Sequence, residues 1–206
     1  MPTRVISYID GFNLYFGIRD AKLRRYLWLD LPKLSTSLLL DGQMLQKTKY
    51  FTSRISSPVE KRERQSTYID ALSLHAGAAL GLYYGKYQTQ ARECQSCHRV
   101  DMVPSEKKTD VNIAVEMMVD AFQDAFDTAI LITADSDLVP PVSAIRRLFP
   151  TKRIIAAFPP NRRSEELAQV VHGHFPLGRQ KLASAQLPEQ ITQLNGRVLA
   201  RPSKWV

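Results

Sequence analysis

The sequence predicts a three-layer α/β domain around a mostly parallel central sheet. Strand-like and helix-like segments alternate from residue 4 to about Pro176, the pattern of successive βαβ units. The strand-like segments at 128–133 and 153–158 are short and almost continuously apolar, as strands covered on both faces are. Acidic residues stand directly after two such segments, Asp10 after the first and Asp135 and Asp137 after 128–133. Sites in parallel sheets lie outside the carboxyl ends of the strands.

Residues 4–9 (Arg-Val-Ile-Ser-Tyr-Ile) are the first predicted strand, β-branched and closed by Asp10-Gly11. Helices are predicted over 13–26 and 31–40, the second with Pro32 in its first turn. Residues 47–55 alternate well enough for a strand. Ser57-Pro58 opens a long helix over 59–79, with Ile69, Leu72 and Ala76 on one apolar face. A strand follows at 82–89, and residues 91–104 are polar and break the rhythm. Helix 110–125 is strongly patterned, with Val111, Ala114, Val115, Met118, Ala121 and Phe122 as its expected core stripe. After strand 128–133 come helix 138–149, strand 153–158, helix 163–171 and a short edge strand at 174–175. Periodicity fades past Gly178, so residues 1–178 are expected to form the domain, with an insertion at about 90–105. Residues 179–206 are expected to be an extended or partly disordered basic arm.

At 206 residues the chain suits one domain with a sizeable core. Hydrophobic residues make up 44% and charged residues 23%, as in ordinary globular proteins. No apolar stretch reaches the roughly 18 residues that cross a bilayer, and Asp10 arrives too early for a secretory leader. A cytoplasmic protein with no membrane partner is expected, and two cysteines agree. The net charge of +8 favours anionic partners, nucleic acid first. Residues 138–164 contain no acid but include Arg146, Arg147, Lys152, Arg153, Arg162 and Arg163.

Carboxylates that converge at strand ends repel one another unless a cation lies between them. Asp10, Asp110, Asp135 and Asp137 are the candidates for such a set. Capping accounts for one acid of Asp135-Ser136-Asp137 but not for both. Asp10 and Asp110 have capping alternatives of their own. Asn13 and Ser136 are candidate substrate contacts or caps, and Lys107 is a candidate phosphate contact or an ordinary surface lysine. Glu116, six residues past Asp110, lies round the helix from the expected stripe, with Asp120 one turn further. It would join the metal set if that face lines the cleft. An acidic site in a basic protein suits a metal-dependent enzyme acting on a polyanion.

Cys94-x-x-Cys97-His98 is spelled like a haem attachment signal, without the exported context that signal needs. Its spacing also fits half of a zinc site, with His75, His172 or a partner chain as the fourth ligand. Plain thiols at a hairpin tip are the alternative. There is no Walker loop, no GxGxxG after the first strand and no GxSxG elbow. Asp10-Gly11 resembles the start of haloacid-dehalogenase phosphatases, but Tyr8 and Phe12 stand where their second Asp belongs.

Three motifs, Ile9-Asp10-Gly11-Phe12-Asn13-Leu14, Lys107-x-x-Asp110-Val111 and Thr133-Ala134-Asp135-Ser136-Asp137-Leu138, occur in this order. Over roughly residues 4–176 the chain resembles the NYN domain, in its bacterial LabA-like (DUF88) branch of the PIN-like nuclease superfamily. That resemblance implies a PIN-like (Rossmann-like) fold and a ribonuclease using Mg²⁺ or Mn²⁺. By the same resemblance Asp10, Asp110, Asp135 and Asp137 match the acidic metal-binding set. Asn13 matches its polar partner, and Glu116 falls where an acid often stands. The implied substrate is RNA, most simply single-stranded, gripped by Arg146, Arg147, Arg162 and Arg163. Phe12, Tyr15 and Phe16 are either base-stacking residues or core. A non-catalytic RNA- or protein-binding module is the alternative, a small-substrate phosphatase is a third reading, and homodimer formation is left open.

Overall fold

The computed structural model describes residues 2–93 and 96–205. Strand β1 (Thr3–Asp10) leads into α1 (Gly11–Asp20), followed by α2 (Leu31–Thr36), β2 (Gln43–Thr52), α3 (Val59–Ala76) and β3 (Leu80–Tyr84). A hairpin of β4 (Lys86–Glu93) and β5 (Val100–Lys107) precedes α4 (Thr109–Phe122) and β6 (Thr128–Ile132). Then come α5 (Val139–Leu148), β7 (Arg153–Phe158), α6 (Glu165–Val170), β8 (Gly173–Pro176), α7 (Arg179–Ser184), β9 (Gln190–Thr192) and β10 (Val198–Ala200).

Six strands form one sheet in the order β3-β2-β1-β6-β7-β8, with every neighbouring pair parallel. Parallel strands need covered faces, and both are covered. One core packs Leu14 and Ile18 of α1, Leu34 of α2 and Ile69 and Leu72 of α3 against Val5, Ile9 and Tyr50. The other packs Ile113 and Met117 of α4, Val142 and Ile145 of α5 and Leu167 of α6 against Ile6, Tyr8, Phe51 and Leu131. The expected three-layer α/β fold is the observed one.

Several elements differ from the sequence reading. Helix α1 stops at Asp20 because the chain turns there, with Lys22 in the left-handed region (φ 59°). The strand expected at 82–89 is divided at Gly85. A Cβ there would lie 2.5 Å from Thr109 Oγ1 and 2.7 Å from the Lys107 carbonyl oxygen. Only glycine allows the chain to leave the sheet at that point and begin the hairpin. The polar break at 91–104 contains the turn of that hairpin, in which Lys86 pairs with Lys107.

Helix α4 keeps Ala114, Met118 and Ala121 of its expected stripe against the core but is rotated away from the rest of it. Ile113, Met117 and Ala121 are its buried apolar residues. Val111 is 61% exposed, Val115 52% and Phe122 68%. The tail is not an extended arm either. Leu182, Leu187, Leu199 and Trp205 join the core beside α2 and α3. Trp28 donates from Nε1 to the Pro188 carbonyl at 2.7 Å, and its ring lies 6.4 Å from that of Trp205. Two basic tail residues are held in ion pairs, Arg201 with Glu189 and Lys204 with Glu60.

Candidate metal centre

From β1 the chain steps outward through β2 to β3, then returns and steps the other way from β6 through β7 to β8. The strand order therefore reverses between β1 and β6, and the crevice outside their carboxyl ends is where such folds bind ligands. Asp10 is the last residue of β1 and caps α1. Its carboxylate is 4% exposed. Oδ1 accepts the Asn13 backbone N–H at 2.9 Å, and Oδ2 accepts the Thr133 hydroxyl at 2.9 Å. Thr133 Oγ1 also accepts the Asp135 N–H at 3.1 Å, and Asn13 Oδ1 accepts the Ala134 N–H at 3.2 Å. Asp135 Oδ1 in turn accepts the Asp137 N–H at 3.0 Å. These bonds fix the first and third motifs to each other.

Asp110 arrives from the second motif in the first turn of α4, after Lys108 turns the chain in the left-handed region (φ 77°). One carboxylate oxygen from each of Asp10, Asp110 and Asp135 lies within 4.8 Å of the others. Oxygens on opposite sides of Mg²⁺ stand about 4.2 Å apart, and around Ca²⁺ about 5 Å. The triad therefore fits a hard divalent cation with small side-chain adjustment. Burial raises the pKa of Asp10 above the ordinary carboxylate value. Burial, then the charges of Asp135, Asp10 and Asp137, push Asp110 up to about 6. Carboxylates crowded together without a counter-charge behave in this way.

A family model for the NYN domain matches residues 4–178. The chain belongs to the NYN domain family. The three motifs assembled at the switch point lie within the matched residues, and NYN domains belong to the PIN-like nuclease superfamily. A Pseudomonas putida protein named 6-hydroxy-3-succinoylpyridine 3-monooxygenase HspA is 25% identical over 244 residues, spanning 99% of this chain and 76% of the relative. A crystal structure of a Vibrio parahaemolyticus protein of unknown function superposes with a TM-score of 0.58 at 16% identity. That match covers 86% of this chain and 94% of the other, and at this identity it speaks to the fold.

The remaining candidates of this NYN domain divide by position. Asp137 is exposed in the short 3-10 turn Ser136–Leu138 at the rim of the triad, and Ser136 is exposed beside it. Asn13 is engaged in the bond that ties the motifs together. Lys107 and Lys108 are exposed immediately before Asp110. Arg162 and Arg163 follow the carboxyl end of β7 on the same rim, paired with Asp20 and Glu165. Arg146 and Arg147 do not share that rim. Helix α5 starts beyond β6 and runs back, and Arg146 donates to the Val170 carbonyl just before β8 begins. That places both arginines at the amino ends of the strands.

Glu116 does not join the cluster. It lies on α4 roughly 9 Å further along the axis than Asp110 and binds Lys49 Nζ at 2.7 Å. Lys49 also holds Asp120 at 2.7 Å, and the Tyr8 hydroxyl donates to Asp120 at 2.6 Å. Burial opposes the charge on Lys49, but the two carboxylates outweigh it and its pKa ends above the ordinary value. This buried set anchors α4 to β1 and β2. Sequence reasoning missed Lys49, which stands in a strand-like run, and gave Thr133 no role although it sits inside the third motif.

The zinc reading depends on Cys94, which lies outside the described residues. Cys97 is exposed in the turn between β4 and β5. The two distant histidines have other partners: His75 faces Asp30 at 3.2 Å, and His172 Nδ1 accepts the Ile154 N–H. Among the described residues, the Asp triad is the cluster fit for a metal ion. No helix among the described residues is long and apolar enough to cross a membrane.

Proposed function

We propose that this NYN domain, of the LabA-like branch, hydrolyses phosphodiester bonds of single-stranded RNA in the cytoplasm. One observation carries the reading: Asp10, Asp110 and Asp135 come from three separate segments and meet at the switch point of the sheet. They would hold Mg²⁺ or Mn²⁺, with Asp137 at the rim of the same site. When bound, such an ion lowers the pKa of a water and offsets charge on the leaving oxygen. Thr133 and the Asn13 backbone hold the Asp10 carboxylate in place. Lys107, Lys108, Arg162 and Arg163 on the surrounding rim attract the RNA backbone, with affinity that falls as salt rises.

The test is cleavage of a labelled single-stranded RNA in Mn²⁺ by the wild type and by Asp135→Asn/Asp137→Asn. The double variant is expected to lose roughly 100-fold or more, since cation stabilisation supplies several kcal/mol of the barrier lowering. Undiminished cleavage would remove these carboxylates from catalysis. A domain that binds RNA but never cuts it would support the non-catalytic alternative.

A second reading also has a specific observation behind it. A cavity of about 310 Å³ with aromatic walls begins beside Gly11, and the Pseudomonas putida relative is named for a reaction on a pyridine ring. In that reading the cavity accepts a small aromatic acid. Saturable quenching of tryptophan fluorescence by nicotinate, unaffected by RNA, would support it.

A further inference from the structure

We propose that the aromatic cavity is a nucleobase subsite, receiving a base of the RNA strand next to the phosphate held at the Asp triad. The proposal rests on the ribonuclease reading and deepens it. Three observations favour this occupant. First, the cavity is contiguous with the metal-binding segment: Gly11 lines it and directly follows Asp10, about 3.8 Å away between Cα atoms. The triad itself does not line the cavity, but Gly11 and Phe12, one and two residues beyond Asp10, do. Gly11 has no room for a side chain, since a Cβ would lie 2.6 Å from the Tyr50 ring.

Second, the walls present flat aromatic surface. Phe12 and Phe16 of α1, Tyr50 of β2, Tyr68 of α3 and Trp205 of the tail line it. Its volume falls at the low end of the roughly 300–1,000 Å³ usual for ligand pockets. Third, cations border it. Arg19, Lys61 and Arg64 contribute to the lining, and Arg19 lies over the Phe16 ring at 4.5 Å from its centre. That combination of stacking surface and positive rim is how proteins hold single-stranded nucleic acid.

Two of the hydrogen-bonding side chains that line the cavity are already engaged. Gln65 donates to the Ser53 carbonyl and accepts the Ile55 N–H, and the Tyr68 hydroxyl donates to the Leu29 carbonyl. Neither group reads the edge of a base, so a base entering here is held chiefly by its face.

The test measures RNA binding, not cleavage. Anisotropy of a labelled hexauridylate is recorded in EDTA with the full chain, against the same strand carrying an abasic position. The wild type is expected to bind the intact strand about tenfold more tightly than the best-placed abasic strand, the worth of one stacked base. Phe16→Ala is expected to lose that discrimination, and Phe16→Leu, which keeps most of the volume, to lose part of it. Equal binding of intact and abasic strands by the wild type would overturn the proposal, as would absence of RNA binding. So would nicotinate quenching tryptophan fluorescence where hexauridylate does not, which assigns the cavity to a small aromatic acid. Base discrimination without any Mn²⁺-dependent cutting would retire the nuclease reading and leave the subsite standing.

Discussion

A single carboxylate, Asp110, reports how the site is charged. Its pKa of about 6 lies above the ordinary value of 3.8, first because it is buried and then because Asp135, Asp10 and Asp137 face it. Between those two values the folded protein keeps a proton that the unfolded chain has released. The contribution of Asp110 to the stability of the metal-free protein therefore falls as pH rises from about 4 to 6 and levels off above. Asp10, also raised, acts in the same direction. Asp110→Asn removes the repulsion, so in EDTA at pH 7 it should be more stable than wild type. The gain should be on the order of 1–2 kcal/mol once solvent screening is allowed for. Urea unfolding of both proteins from pH 4 to 7 in EDTA measures it, and parallel curves would show that the carboxylates are not crowded.

At the scale of the element, α4 decides what faces the sheet. Its sequence is apolar on nearly every side, since Val111, Ile113, Ala114, Val115, Met117, Met118 and Val119 follow closely. Periodicity alone could not choose between two stripes. The choice is made by Lys49, which is 7% exposed on β2 and needs Glu116 and Asp120 opposite it. That is why Val111, Val115 and Phe122 of the expected stripe point outward while Ala114, Met118 and Ala121 stay against the core, and why Glu116 left the metal set. The β strands were easier to read, because β1, β6 and β7 carry their burial in short apolar runs that admit one reading. Lys49→Met should strand two carboxylates inside the layer and destabilise by about 3–5 kcal/mol. Val115→Ser, on the exposed stripe, should stay within about 0.5 kcal/mol. Chemical denaturation of the two variants checks the phase of the helix, and equal losses would contradict it.

Over the whole molecule, chain order and sheet order together make the site. The winding reverses between β1 and β6, and this brings residues 10 and 135 side by side although 125 positions separate them. The crevice was legible in advance because each acid closes or opens an element whose type was plain. The tail was not legible. Leu182, Leu187, Leu199 and Trp205 follow no period, and their meaning comes only from the core they join, where Trp205 packs against the Trp28 and Tyr68 rings. The same packing makes Trp205 a wall of the aromatic cavity, a role no local pattern announces. Arg146 and Arg147 mislead for a related reason: a charge run shows that cations are close in the chain, while the direction of α5 decides which end of the sheet they occupy. Three carboxylates from distant segments meet within reach of a single cation. Calorimetric titration of Mn²⁺ into the wild type and into Asp110→Asn tests most directly whether they hold one. Saturable binding by the wild type, strongly weakened in the variant, is the expected result; no binding by the wild type, or equal binding by both, would contradict it.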